Sequence, residues 1–148
     1  MDFSEANFIG ADLSGVDFRD ADISRANLIG TDLSRANLMG ASLVGSYLIE
    51  ANLNGAYLTG ANLSNANLGE AELILTDLNS ADLIGADLSG ADLSGSDLSN
   101  ANVNGASFDG AIFSEANLKG VAGITIEELE QQAKSLKGAT MPDGTIYP

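Results

Sequence analysis

Carboxylates are the side chains of this sequence that could carry chemistry. The chain has 21 acidic residues, 6 basic residues, and neither His nor Cys. It therefore lacks the commonest general base, the commonest metal ligand and any thiolate. The most regular acids recur at intervals of five: Asp82, Asp87, Asp92 and Asp97. Such a series could bind a cation only if the fold turned its members toward one point.

No arrangement of residues predicts catalysis. No nucleophile stands beside a base, no metal ligands cluster, and no glycine loop leads into a helix. The 17 glycines fall mostly at regular corners of a repeat, so they do not indicate a phosphate-binding loop. The sequence therefore predicts a protein that is not an enzyme and needs neither a cofactor nor a metal.

Composition limits the class of protein further. A chain of 148 residues predicts one domain. No apolar run approaches the roughly 20 residues that cross a bilayer, and the acidic start is unlike a signal peptide, so we expect a cytoplasmic protein. The net charge of −15 repels nucleic acid and anionic lipid, so partners should present basic or apolar surfaces. The same charge would also keep the protein soluble.

A five-residue repeat extends from Phe3 to Leu118. All 24 positions at this spacing are apolar, and they are all leucine from Leu28 to Leu98. Ala stands two residues before this central position in 18 repeats, and Asp or Asn stands directly before it in 10 and 8 repeats. Gly stands two residues after it in 13 repeats, which gives the consensus Ala-(Asp/Asn)-Leu-Ser-Gly.

A period of five fits neither a helix nor a straight strand. Five residues of α-helix advance about 500°, which would spread the leucines around the cylinder. In a strand, successive leucines would point to opposite faces. An inward Ala and Leu followed by a turn keeps both inside, because Gly allows positive φ and Asp or Asn accepts bonds from nearby N–H groups. The repeat thus predicts a polygonal coil whose turns stack about 4.8 Å apart.

The repeats resemble the motif of the pentapeptide-repeat family, many members of which are bacterial and some cyanobacterial. Examples are Ala11–Gly15, Ala61–Asn65 and Ala91–Gly95, and the resemblance covers residues 1–120. It implies an all-β solenoid, a right-handed quadrilateral β-helix with four repeats per coil, so the 24 repeats would make about six coils. The period alone also permits three sides per coil, although the recurrence of Ile9, Ile29 and Ile49 every 20 residues favours four.

Residues 121–148 are predicted to form a C-terminal capping helix and a tail. Thr125 and Glu128 have the spacing of a capping box. Apolar residues then recur at helical spacing: Ile126, Leu129, Ala133 and Leu136. Gly138 predicts the end of the helix. We expect the helix to cover the last coil, and Ile146 to fold back onto the outside of the barrel beside Ile112.

The N-terminal coil has no comparable cap. Met1 already occupies the Ala position of the first repeat, so the solenoid would begin with unpaired strand edges. The coil could be frayed, another chain could cover it, or the sequence could start inside a longer protein. A homodimer through the uncapped coil would pair the edges, and the sequence raises it as a hypothesis.

One predicted outer side is apolar. Ile9, Ile29 and Ile49 each follow a central residue at intervals of 20, so a four-sided coil stacks them with Tyr47 beside them. A contiguous exposed apolar patch is typical of a partner surface. A ladder of β-branched side chains also stabilises a sheet locally, so both interpretations remain.

The acidic residues of the barrel are spread evenly. With four repeats per coil, its 17 acids divide as 4, 4, 5 and 4 over the sides. Residues 71–100 contain acids and no base, among them Asp82, Asp87, Asp92 and Asp97. These four fall on successive sides, which favours turn formation over a metal site. Irregular repeats add Tyr57 in place of Asp or Asn and, within Glu72–Leu75, apolar residues where Ser and Gly are usual.

The leading functional prediction is a non-enzymatic scaffold or protein-interaction module of unknown partner, with no direct nucleic-acid or membrane binding. The family resemblance implies an alternative, a DNA mimic that binds a type II topoisomerase and protects or inhibits gyrase. Gyrase-protecting members of the family present an acidic rod of roughly duplex width. The even spread of acids and the absence of a loop inserted between coils speak against this alternative.

Overall fold

Parallel backbone bridges join residues that lie 20 positions apart. In the computed structural model, which describes all 148 residues, this series runs from the pair Asp2 and Asp22 to the pair Asn102 and Ala122. Since each repeat has five residues, a spacing of 20 gives every coil four sides. The solenoid is held by one bridge per side between neighbouring coils, and extended strands do not form.

Two backbone hydrogen bonds accompany each bridge. On one side, the N–H of Leu28 donates to the carbonyl of Tyr47 at 2.7 Å, and the N–H of Tyr47 donates to the carbonyl of Ala26 at 3.0 Å. The pattern recurs at intervals of five along the coils, so each side is bonded to the coil before it and the coil after it. Backbone polar groups are thereby satisfied between coils.

The corners are tight turns. The N–H of Thr31 donates to the carbonyl of Leu28 at 3.1 Å across one of them. The last residue of every repeat, from Glu5 to Gly120, has φ between 55° and 74°. Glycine fills this place in 13 repeats, as predicted, but 11 other residues adopt the same left-handed conformation. The fold imposes this conformation whatever the side chain.

The residue before each central position stabilises the following turn. Asp12 Oδ1 accepts from the N–H of Ser14 at 3.1 Å, and Asp92 Oδ1 accepts from the N–H of Ser94 at 3.0 Å. This is the Asx-type bond that the sequence predicted for Asp and Asn at these positions. The main use of the regular acids is therefore structural.

The interior contains the Ala and Leu columns and nothing unsatisfied. The central residues from Phe18 onward are buried, and four hydroxyl residues that replace Ala are buried with them: Thr31, Ser46, Thr76 and Ser96. Each of their hydroxyls donates to a backbone carbonyl at 2.6–2.8 Å. No buried side-chain nitrogen or oxygen lacks a partner. This apolar column dominates the stability of the fold.

Helix α1 (Ile126–Gln132) lies at the C-terminal end. It begins with the predicted capping box, since Thr125 Oγ1 accepts from the N–H of Glu128 and the Glu128 carboxylate accepts from the N–H of Thr125. Leu129 is fully buried against the core. The N–H of Gly110 donates to the carbonyl of Gln132 at 2.8 Å, so α1 takes the place of one side of the next coil.

The helix is shorter than the sequence predicted. It ends at Gln132, and the prediction that it continues through Leu136 to a stop at Gly138 is wrong. Beyond it, Ser135 pairs with Ile112 and Thr140 with Asn117, each across 23 residues instead of 20. Leu136 and Met141 are buried as the central residues of two further sides. Backbone pairing therefore crosses the predicted boundary at residue 120.

The tail closes an edge and does not lie on the outside of the barrel. Ile146 forms an antiparallel bridge with Thr140, and the N–H of Tyr147 donates to the carbonyl of Ala139 at 2.8 Å. The predicted placement of Ile146 beside Ile112 is wrong, because Ile146 pairs with Thr140, whereas the partner of Ile112 is Ser135. The C-terminal end is thus covered by a helix and a reversed segment of chain.

The first coil lacks such cover. Phe3, Phe8 and Leu13 are half-buried, whereas the matching residues of later coils are buried. The backbone N–H groups of Asn7 and Asp12 have no backbone acceptor, although the matching groups of later coils are bonded. The open edge that the sequence predicted is present.

Candidate interaction surfaces

The three isoleucines of the predicted apolar side form one column. The N–H of Gly10 donates to the carbonyl of Ile29, and the N–H of Gly30 donates to the carbonyl of Ile49, each at 3.0 Å. These bonds place Ile9, Ile29 and Ile49 on consecutive coils at the same point of one side. Ile9 is 56% exposed, and the other two are half-buried.

Tyr47 widens this column. It bridges Asn27 and Asn67 on the same side and is 50% exposed. Gly69 and Ser89 follow the isoleucines in the next two coils, so the apolar area is confined to the first three coils. We call Ile9, Ile29, Tyr47 and Ile49 the isoleucine face. The structure brings these residues together, but its use as an interaction surface remains a prediction.

The four regular acids do not converge. They lie on the four successive sides of one coil: Asp82, Asp87, Asp92 and Asp97. One carboxylate oxygen of each accepts a backbone N–H two residues later, at 2.9–3.0 Å. No group of three or more acidic side chains could hold a metal ion. The set forms a belt around the rod and is not a single site.

The acids in the middle of the rod have no basic partner within the chain. Residues 36–118 contain ten acids and no Lys or Arg. The two ion pairs lie in the first two coils, where Arg19 contacts Asp17 at 2.7 Å and Arg25 contacts Glu5 at 3.1 Å. The middle coils therefore present uncompensated negative charge on every side.

Local hydrogen bonds lower the pKa of five carboxyls, of which four lie near the N-terminus and one in the C-terminal tail. The Arg19 side chain, with the Arg19 backbone N–H, lowers the pKa of Asp17 to about 2. Hydroxyl groups two residues later lower the pKa of four further carboxyls in the same way: Asp2, Asp12, Asp22 and Asp143. In each case the bonds favour the ionised form and hold the turn.

One shallow polar depression lies beside the C-terminal tail. Its volume is about 460 Å³, and its seven lining residues are Ser99, Asn100, Asn117, Lys119, Gly120, Pro142 and Asp143. No lining residue is hydrophobic, and no nucleophile stands beside a general base. The depression gives no support to a catalytic role.

One feature exceeds what the sequence indicated. The irregular repeat at Glu72–Leu75 was visible as a departure from the consensus, but its backbone conformation was not. Leu75 has φ of 56° and is 71% exposed. The signal that could have located it is its place two residues after the central Leu73, where the turn requires positive φ.

The repeats of this chain match a known protein family. A family model described as pentapeptide repeats matches residues 2–40, 36–73, 56–95 and 91–122, with eight copies. No curated protein matches the chain.

Helix α1 has 7 residues, and no helical segment of this chain has the length and apolar character of a membrane span.

Solved structures of pentapeptide-repeat proteins are similar to this chain. The protein Rfr23 from the cyanobacterium Cyanothece 51142 is 29% identical, with 80% of this chain and 88% of that chain covered and a TM-score of 0.57. HetL from the cyanobacterium Nostoc sp. strain PCC 7120, involved in regulating heterocyst differentiation, is 32% identical over 99% and 83%, with a TM-score of 0.29. QnrB1, a plasmid-mediated fluoroquinolone resistance protein, is 27% identical over 90% and 78%, with a TM-score of 0.48.

The ion pair at Asp17 predicts an acid-dependent contribution to stability. Because its pKa in the folded chain is about 2, below the ordinary value of 3.8, ionised Asp17 stabilises the fold above about pH 4. This contribution is lost as the pH falls through the folded value. Asp17→Asn should therefore be less stable than the wild type at neutral pH, and the difference should vanish toward pH 2. Denaturant midpoints measured across this range give the result.

Asp97→Asn is the matched control. Asn serves the same turn at Asn37, where its Oδ1 accepts from the N–H of Met39 at 3.2 Å, so neither substitution should break a corner. Asp97 has no ion pair to lose. A stability difference for Asp17→Asn that stays constant at the lowest pH would contradict the assignment.

Proposed function

Because the chain belongs to the pentapeptide-repeat family, we propose that it is a non-enzymatic protein-interaction module that binds a partner through the isoleucine face. The observation that carries this proposal is the apolar column itself. Ser, Asn, Thr or Arg interrupts the corresponding columns on the other three sides. We take the coil to be right-handed and the protein to be cytoplasmic, as the sequence led us to expect.

The exposure of the face supports a partner over a purely local role. A β-branched ladder accounts for Ile29 and Ile49, which pack between neighbouring coils. It gives no role to Ile9 and Tyr47, which are 56% and 50% exposed. An area of this kind on a rigid scaffold is an ordinary protein-binding surface, because little conformational entropy is lost on docking.

The absence of catalysis is also part of this proposal. The regular acids are engaged in turns, the hydroxyls that replace Ala are buried and bonded to carbonyls, and the sequence has neither His nor Cys. These groups therefore serve the scaffold and leave its sides to recognition.

A second candidate is a DNA mimic that binds a type II topoisomerase. The observation in its favour is the stretch of residues 36–118 with ten acids and no base. Such a rod would enter a basic channel built for a duplex. Against it, the acids divide evenly over the four sides, which gives no side a preferred charge.

We further propose that the first coil mediates a homodimer. Its edge offers unpaired N–H groups at Asn7 and Asp12, and its half-buried phenylalanines Phe3 and Phe8 are accessible there. Pairing two first coils would satisfy the edges and cover the rings. Acids at this end, among them Asp2 and Asp12, oppose the contact, so salt should strengthen it.

The isoleucine face predicts a defined loss of binding. Ile29→Asp should abolish capture of a partner in a pull-down from the native host, because it places a charge at the centre of the apolar column. The fold should survive, since Ile29 points outward. Ser89→Asp is the control, as it adds the same charge to the same side two coils beyond Ile49. Capture of the same protein by both variants would contradict the proposal.

The dimer predicts a mass. Light scattering at micromolar concentration should give twice the chain mass of 15.1 kDa, with a larger dimer fraction at high salt. A monomeric mass at both low and high salt would overturn this assignment without bearing on the isoleucine face.

The DNA-mimic candidate predicts an effect on gyrase. Supercoiling measured with a quinolone present should show inhibition or protection by the wild type. This effect should disappear when Asp82, Asp87, Asp92 and Asp97 are all replaced by Asn, and should persist in Ile29→Asp. No effect of the wild type would remove the candidate.

A further inference from the structure

The corner at Leu75 is unlike every other corner of the solenoid. Of the 11 residues other than glycine with left-handed backbone at corners, Leu75 alone is apolar. Its side chain is 71% exposed, more than any other large hydrophobic side chain of the molecule. A leucine gains nothing from solvent here, and the left-handed conformation is unfavourable for it. Glycine, which 13 corners use, would relieve the strain.

The repeat around Leu75 is held firmly despite its sequence. Glu72 replaces Asp or Asn, so the usual bond to the N–H of Ile74 is missing. Asn54 of the preceding coil supplies it, as its Oδ1 accepts from Ile74 N–H at 2.9 Å and its Nδ2 donates to Glu72 Oε2 at 2.8 Å. The N–H of Leu75 donates to the carbonyl of Ser94 at 3.0 Å. Leu75 is therefore presented on an ordered backbone.

The neighbouring corners leave Leu75 prominent. The corners directly before and after it in the same column are Gly55 and Gly95. A Cβ placed on Gly95 would lie 2.9 Å from Leu75 Cδ2, so the leucine extends along the column over that glycine. Tyr57, which is 51% exposed, belongs to the preceding coil and bridges Asp77.

Carboxylates flank the Leu75 side chain on both sides of its corner. Glu72 bridges Asp92 on one side of the coil, and Asp77 bridges Asp97 on the next side. None of the four forms an ion pair. The one base in the same corner column is Arg35. It lies two coils before Leu75, and its side chain contacts the position of Gly55 in the coil between them. An exposed leucine surrounded by uncompensated acids matches a basic surface that contains an apolar pocket.

We propose that Leu75 is the anchor of a second docking surface, whose partner is a protein with a basic rim around an apolar pocket. A self-complementary contact between the Leu75 corners of two copies does not fit, because carboxylates would face carboxylates in the contact. The inference rests on the proposed role as an interaction module, but it uses a different corner of the rod from the isoleucine face. Leu75 supplies the apolar contact, and the four flanking acids supply attraction and orientation.

Two peptides serve as probes of this chemistry. One is an amphipathic helical peptide of lysine and leucine, and the other has serine in place of every leucine. The wild type should bind the lysine–leucine peptide more tightly, and Leu75→Gly should weaken that binding by about tenfold, as expected for a buried leucine. The lysine–serine peptide should bind the two proteins equally. Replacing Asp77 and Asp97 by Asn should weaken both peptides and reduce their salt dependence.

The controls distinguish an effect of the Leu75 side chain from a general effect on the solenoid. Ser80→Gly likewise introduces glycine at a left-handed corner, but it removes no apolar side chain, so it should leave both affinities unchanged. Leu75→Gly should fold at least as stably as the wild type, because glycine favours this conformation. Its denaturant midpoint verifies that any loss of binding is local.

Several results would overturn the proposal. These are no binding of the lysine–leucine peptide by the wild type, an unchanged affinity in Leu75→Gly, or an equal loss for both peptides. A change in the mass of the free protein on Leu75→Gly would assign the corner to self-association instead. None of these bears on Ile29→Asp, whose pull-down tests the interaction module itself, so the two failures are distinguishable.

Discussion

A left-handed residue at every fifth position turns this chain into a solenoid. From Glu5 to Gly120 each repeat ends in such a residue, and the four corners of a coil bring the backbone back to the same side after 20 residues. The pairing between coils, the buried columns of Ala and Leu, and the stacking of outer side chains all depend on this return. Because the turn fixes the conformation, the side chain at a corner is free to vary.

The choice of side chain at a corner is limited by the corner of the neighbouring coil in the same column. Where a corner carries a long side chain, the next corner in the column is often glycine: Arg25 lies over Gly45, Glu70 over Gly90 and Leu75 over Gly95. A Cβ on Gly90 would come within 2.5 Å of the Glu70 carboxylate, so the glycine makes room for its neighbour. Corner glycines therefore have two roles, a backbone role in their own turn and a steric role toward the preceding coil.

Much of the fold could be predicted from the sequence, by two routes. The residues themselves indicated a polygonal coil, the turn bonds of Asp and Asn, the capping box at Thr125 and the open first coil, whereas the four sides of the coil were implied by the family resemblance; all are present. The segment after the helix was mistaken because Leu136 fits two patterns, a helical spacing from Leu129 and a five-residue spacing to Met141. Backbone pairing of Ser135 with the free edge at Ile112 decides between them. The free energy of that tertiary pairing cannot be read from local sequence patterns. The isoleucine column followed from a 20-residue spacing together with the four sides that the family resemblance implied, whereas the exposure of Leu75 was evident only from the structure.

Helix α1 replaces a whole side of the coil, and the chain resumes its pairing three residues late, at Ser135 with Ile112. The register of the solenoid is thus kept by contacts between coils and not by counting residues along the chain. At this end of the rod one side is consequently exchangeable: a helix fills it, three residues are added, and the chain still enters the pairing again at the next side.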